Sequence, residues 1–267
     1  MDLARCTALV TGGAVRIGAA ISLCLARRGA TIVIHHHRSK TEAEDLARRI
    51  RREGGNALLV RGALDTEAGV NRVLSAAFRA TPSLNVLVNN AAIFARGPLL
   101  EATERDFLDA WRVNTIAPIL LTLGFARGFL ARKANAPVRG MVVNVLDRRV
   151  AAPEPGCVPY VVSKCALAAF TVAAARELAP RIAVNAVAPG PVLPPPGGAR
   201  RVREPAGHIP LGQRPTPKDV ADAVAFLVGS ESITGQTIFV DGGQHLVLPF
   251  RLLHSQNINP VLEANHA

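Results

Sequence analysis

The chain is poor in aromatic residues, cysteine and negative charge, and no residue class forms a long block. Aromatics make up 4% of its 267 residues, with one tyrosine and one tryptophan. Surfaces that stack nucleobases place aromatics among lysines and arginines. No such tract is present, so no nucleic-acid partner is expected despite a net charge of +11. The arginines are spread over the whole chain, as on a solvated surface. The positive balance still suits a phosphate-bearing cofactor or an anionic substrate. Cys6, Cys24, Cys157 and Cys165 make no Cys-x-x-Cys pair, and no histidine cluster stands at zinc spacing with them. They read as small buried side chains, and no metal is expected. No apolar run reaches the roughly 18 residues that span a bilayer, and Met1–Arg5 begins no apolar leader. These readings predict a cytoplasmic protein with no membrane partner.

A content of 49% hydrophobic and 19% charged residues predicts a folded core rather than a disordered chain. Strands are expected at Cys6–Thr11, Thr31–His36, Ala57–Val60, Asn85–Asn89, Met141–Leu146, Ile182–Ala188 and Thr237–Val240. Most are continuous apolar runs, the pattern of parallel strands covered on both faces. Helical patterns lie between them. Within 41–52, Ala43, Leu46, Ala47 and Ile50 share one face, and Gly54-Gly55 stops the helix. A second clear helix covers 217–228. This alternation predicts an α/β fold: a doubly wound parallel sheet of about seven strands with helices on both faces. No domain break is visible, so 1–267 is expected to form one domain, with its core over about 5–243. The Pro/Gly-rich stretch 191–207 reads as a loop over a site, and 244–267 as a tail without pattern.

The first strand runs into Thr11-Gly12-Gly13-Ala14-Val15-Arg16-Ile17-Gly18 and then a helix. Glycines there permit a tight turn and close approach to a pyrophosphate, and the helix N-terminus offers unpaired N–H groups. The second strand ends in His35-His36-His37-Arg38-Ser39, without the carboxylate that would bind a ribose 2′-hydroxyl. Arg38 and Ser39, with the histidines beside them, suit a 2′-phosphate. Consecutive histidines on a strand point to opposite faces and do not converge on a metal.

Tyr160 and Lys164 stand four apart, on one face of a helix. An ammonium beside the phenol would lower its pKa from about 10. Asn89-Asn90-Ala91-Ala92 closes the fourth strand, and Asn114 follows in a helical region. Asp147 lies thirteen residues before Tyr160. Asn185–Gly190 and Asp241-Gly242-Gly243 close later strands.

Together these motifs resemble the short-chain dehydrogenase/reductase family over nearly the whole chain, from about Thr7 to Gly243. The resemblance implies a Rossmann-like domain, a nicotinamide cofactor and a homotetramer. It implies Tyr160 as proton donor, Lys164 as holder of the nicotinamide ribose, and Asn114 as support for a water relay. It places Asp65 at the adenine and Asn90, Ala91, Pro189 and Gly190 along the cofactor. Two departures stand out: the family's usual serine is Asp147, and its usual second turn glycine is Arg16. Both match the pteridine reductase branch, as do residues 35–39. In that branch Phe94 would stack on a pterin, and Arg16 would touch both cofactor phosphate and substrate. Each has a plainer reading: loop packing for Phe94, a phosphate ligand alone for Arg16, a helix cap for Asp147. The expected function is therefore NADPH-dependent reduction of a pterin or folate ring, with carbonyl reduction as the alternative.

Overall fold

The computed structural model describes residues 1–132, 139–194 and 209–247. The loop expected over 191–207 and the tail over 244–267 lie outside the described residues except for 191–194 and 244–247.

Seven parallel strands form one sheet: β1 (Thr7–Val10), β2 (Thr31–His36), β3 (Ala57–Arg61), β4 (Val86–Asn89), β5 (Gly140–Val145), β6 (Ile182–Pro189) and β7 (Thr237–Val240). Their order is β3-β2-β1-β4-β5-β6-β7. Each expected strand is present, displaced by at most one residue at either end. The period of two along each strand feeds two cores. Val10, Ile32, Ile34, Val86 and Val143 pack under α1 (Arg16–Arg27), α2 (Lys40–Arg52) and α7 (Pro217–Gly229). Leu9, Val33, Leu87, Val142 and Val184 pack under α3 (Glu67–Ala80), α5 (Ala117–Arg132) and α6 (Val158–Leu178). The remaining long helix, α4 (Glu104–Trp111), runs into α5 through a π turn over Arg112–Ile116.

The sequence decides where several helices begin. Thr103 with Asp106, and Thr216 with Asp219, form complete capping boxes at α4 and α7. At α1 and α2 the residues before the helix, Val15 and Ser39, make no side-chain cap bond. Both of these helix starts face the cleft described below.

One expectation needs correction. Residues 104–132 and 158–178 form helices long and apolar enough, by composition, to cross a membrane. Half of the most apolar stretch of each is buried in the fold. A helix lying on a parallel sheet needs an apolar face, and here that face raises the mean hydropathy of the whole segment.

Candidate active site

In a doubly wound sheet, a crevice opens at the carboxyl ends of the strands, where successive crossovers leave in opposite directions. Here that point lies between β1 and β4. A cleft of two lobes occupies it, of about 330 and about 670 Å³, with Gly12, Val15 and Ala91 lining both.

The larger lobe is lined by His36, His37, Arg38 and Ser39 from the end of β2, by Asp65, and by Arg105, Asp109 and Arg112 from the α4 side. The last three carry no motif that would mark them in the sequence. The turn between β1 and α1 is locked from several sides. Asn90 Nδ2 donates to the Thr11 and Gly12 carbonyls at 2.9 and 3.2 Å. Thr11 Oγ1 accepts the backbone N–H groups of Asn90 and Ala91 at 2.9 and 3.0 Å. A Cβ on Gly18 would stand 2.1 Å from the Gly12 carbonyl oxygen, so only glycine lets α1 press against the turn. Arg16 keeps the left-handed backbone of the glycine it replaces, with φ 55°. This costs of order 1–3 kcal/mol, a strain that tends to be kept at functional positions.

His35 holds this turn as well. Its Nδ1 accepts the Gly12 N–H at 3.1 Å, so the ring proton sits on Nε2, which faces the Gly62 carbonyl at 3.1 Å. Burial pushes its pKa down from 6.5 to about 4. Above pH 6.5 the group is neutral whether the chain is folded or not. As pH falls from about 6.5 to about 4, the unfolded chain takes up a proton that the folded one refuses. Stability is lost across that window, by up to about 3 kcal/mol. Urea unfolding at pH 7, 5 and 4 should show this loss in wild type. It should be smaller in His35→Asn, whose amide oxygen can accept the Gly12 N–H without titrating. Parallel losses in the two proteins would contradict the assignment.

These features suit a phosphate-bearing dinucleotide. The start of α1 carries no side-chain cap, the Ser39 hydroxyl is not used as a cap, and His36 Nδ1 is buried without a partner among the described residues.

The smaller lobe gathers Asp147, Tyr160 and Lys164. It is lined by Arg16, Ile17, Gly18, Asn90, Phe94, Asp147, Tyr160, Lys164, Pro189 and Gly190, with Arg96, Arg149 and Arg214. Arg16 donates to the Pro194 carbonyl at 2.7 Å. Asn114, on the π turn, is fully buried. It clasps the Ile93 backbone through both ends of its amide at 2.9 and 3.0 Å and donates to Ser163 Oγ at 3.1 Å. It therefore ties the loop carrying Phe94 to the helix carrying Tyr160. The Phe94 ring meets Tyr160 edge to face, with centroids 4.7 Å apart. Phe94 thus packs within the site wall, and 37% of the residue stays exposed.

Tyr160 donates its hydroxyl hydrogen to Asp147 Oδ2 at 3.1 Å. Lys164 Nζ donates to the Val145 carbonyl at 2.8 Å and lies 5.9 Å from the phenol ring centroid. The expected lowering of the phenol pKa is therefore corrected. Burial, then the charge of Asp147 and the hydrogen bond to it, hold Tyr160 well above 10. Burial pulls Lys164 down to about 8, partly offset by Asp147. The four-residue spacing put both side chains on one face, but it did not reveal that a carboxylate receives the phenol hydrogen.

Asp147 is also a cap. Its Oδ1 accepts the Arg149 N–H at 2.9 Å at the start of a short 3-10 turn, Arg148–Val150. The Arg149 guanidinium bonds Asp147 and Glu154, and Glu154 also receives Arg148, which is 2% exposed. Arg149 and Glu154 went unread in the sequence. Two arginines after an aspartate look like surface charge until a 3-10 turn folds them inward. Among the described residues, no group of three or more His, Cys, Asp or Glu is arranged to hold a metal ion.

A parallel sheet with a glycine turn at its switch point, and a Tyr–Lys pair at the next crevice wall, define an α/β oxidoreductase. The family described as enoyl-(acyl carrier protein) reductase matches residues 13–245. The chain belongs to the short-chain dehydrogenase/reductase family. Its fold superposes with a TM-score of 0.83 on FolM alternative dihydrofolate reductase 1 from Brucella canis complexed with NADP. That protein is 35% identical, over 92% of this chain and 96% of its own. The Brucella suis counterpart, also in complex with NADP, gives 0.80 and 36%, over 91% and 97%. The 3-oxoacyl-[acyl-carrier-protein] reductase FabG of Staphylococcus aureus (strain Mu50) is 31% identical, over 90% of this chain and 98% of its own.

Proposed function

We propose that the protein is an NADPH-dependent reductase that delivers hydride to a ring C=N carbon of a pterin or folate-type substrate. One observation carries this reading: the group that receives the Tyr160 hydroxyl hydrogen, at 3.1 Å, is a carboxylate. A carboxylate accepts hydrogen bonds from ring N–H and amino groups, which pterins present and simple ketones lack. The likeness to two NADP-bound FolM structures supports it.

Gly12, Arg16, Ile17, Gly18, Asn90, Ala91, Pro189 and Gly190 would line the dinucleotide. His36, His37, Arg38 and Ser39 would receive its 2′-phosphate, and Asp65 would meet the adenine. When bound, NADPH supplies the hydride. Tyr160, which keeps its proton at neutral pH, would give it to the ring nitrogen. Asp147 would accept a substrate N–H and orient the phenol. Lys164 would hold the nicotinamide ribose, and Asn114 would fix the site loop and support a water relay. Phe94 would offer its face to the ring, worth about 1 kcal/mol beyond burial. Arg16 would reach both phosphate and substrate.

The chain would act as one domain, in the cytoplasm, as a homotetramer, without membrane or nucleic-acid partners. The exposed apolar side chains Trp111, Leu123, Leu130, Val162 and Val172 on the α4–α6 side support self-association.

A second reading, reduction of a 3-oxoacyl or other ketone group, draws on the FabG relative. The ion pair between Asp147 and Arg149 also offsets the charge that would otherwise repel an alkoxide. NADPH absorbance followed with dihydrobiopterin, dihydromonapterin, dihydrofolate, biopterin and a 3-oxoacyl thioester separates the two. Oxidation with the dihydropterins or dihydrofolate is the expected result; oxidation with the thioester alone would replace the first reading by the second.

A further inference from the structure

Asp147 in this fold is fully subscribed. An ionised carboxylate has about four acceptor positions. Oδ1 takes the Arg149 N–H at 2.9 Å and Arg149 Nη1 at 3.3 Å. Oδ2 takes Arg149 Nη1 at 3.2 Å and the Tyr160 hydroxyl at 3.1 Å. Arg149 thus fills every position but the one turned toward Tyr160. The guanidinium is itself braced. Its Nε donates to Glu154 Oε2 at 2.9 Å, while Glu154 Oε1 takes Arg148 at 2.5 Å. The same guanidinium lies 5.9 Å from the Phe94 ring centroid.

We propose that Arg149 is the positioning and specificity-determining residue of the site. It leaves Asp147 a single exchangeable acceptor position, at Oδ2, which passes from the Tyr160 hydroxyl to one N–H of the substrate ring. This rests on the pterin reading above. When a ring N–H arrives at Oδ2, the phenol hydroxyl is released to face the ring nitrogen. Substrate entry and aiming of the proton donor become one event. Recognition is then limited to ligands that offer one N–H beside the acceptor nitrogen. A planar fork is needed for this, because a lysine ammonium cannot hold Asp147 and Glu154 with the same fixed geometry.

The single tyrosine of the chain makes the idea measurable without substrate. Protein labelled with 13C at tyrosine Cζ gives one resonance, that of Tyr160, which reports its hydrogen-bond partner. Arg149→Met should displace this resonance, as should Asp147→Asn, which changes the acceptor of the phenol hydrogen. It should also lower kcat/KM for the dihydropterin by about 100-fold, as loss of alignment at a reacting centre does, with the NADPH dissociation constant unchanged. Arg149→Lys should recover part of both effects. If Arg149→Met does not fold, Arg149→Lys carries the test, and a lysine variant indistinguishable from wild type in both readouts overturns the proposal. An unmoved resonance in Arg149→Met overturns it too, as does a moved resonance with unchanged kcat and KM. If wild type reduces none of the pterins, the functional reading falls. The resonance, with turnover on whichever substrate wild type accepts, still decides the role of Arg149.

Discussion

Tyr160→Phe is expected to lower turnover by about 10²–10⁴-fold, the range that a positioned general acid contributes. The substitution removes one oxygen and little else. The phenyl ring keeps its edge contact with Phe94, and the helix face that seats it is unchanged. Asp147 keeps its bonds to Arg149. NADPH binding, read by fluorescence titration, should therefore stay near the wild-type value, and thermal unfolding should move little. The proton that Tyr160 carries is secure at neutral pH, because burial and the neighbouring carboxylate both disfavour the phenolate. The proposed reduction would use that protonated form. A loss below about tenfold would lie under the range for such a group and would pass the proton-donor role elsewhere, to Asp147 or to water.

Asp147→Ser is the second large effect. It restores the residue type the wider family carries and removes the acceptor that a ring N–H would need. Turnover of dihydropterins should fall by about 10²-fold or more, the cost of removing one pre-aligned polar group at a reacting centre. NADPH affinity should hold, since Asp147 lines only the smaller lobe, while the β2 end that would receive the 2′-phosphate lines only the larger one. The variant should also let the phenol ionise more readily, because the charge of Asp147 and the hydrogen bond to it are two of the causes that raise Tyr160. A steeper response of activity to alkaline pH would show this. Equal loss of cofactor binding and turnover would mean that Asp147 only holds the 3-10 turn together.

The amino-acid sequence by itself determined the order of elements, the parallel sheet, the glycine turn and many of the residues that line the cleft. These are local or periodic properties. Continuous apolar runs specify strands buried on both faces, and a glycine with no room for a Cβ specifies the turn beside it. Asp147 and Arg16 were legible for the same reason, as single departures at fixed distances from recognisable residues.

What the chain could not disclose locally is who pairs with whom inside the low-dielectric site. The Tyr160–Lys164 spacing pointed to a phenol tuned by an ammonium. Only the tertiary structure showed Lys164 held by the Val145 carbonyl and the phenol hydrogen held by Asp147. His35 looked like one of three basic neighbours on a strand end, and became a neutral strut once Gly12 and Gly62 were packed around it. Nothing local in the sequence marked Arg149 and Glu154. They became part of the site when the turn after β5 buried them against Asp147. Proton affinities and ion pairs depend on burial and on partners brought from distant elements. The sheet could therefore be read from the sequence, while the state of its acids and bases was set only by the folded chain.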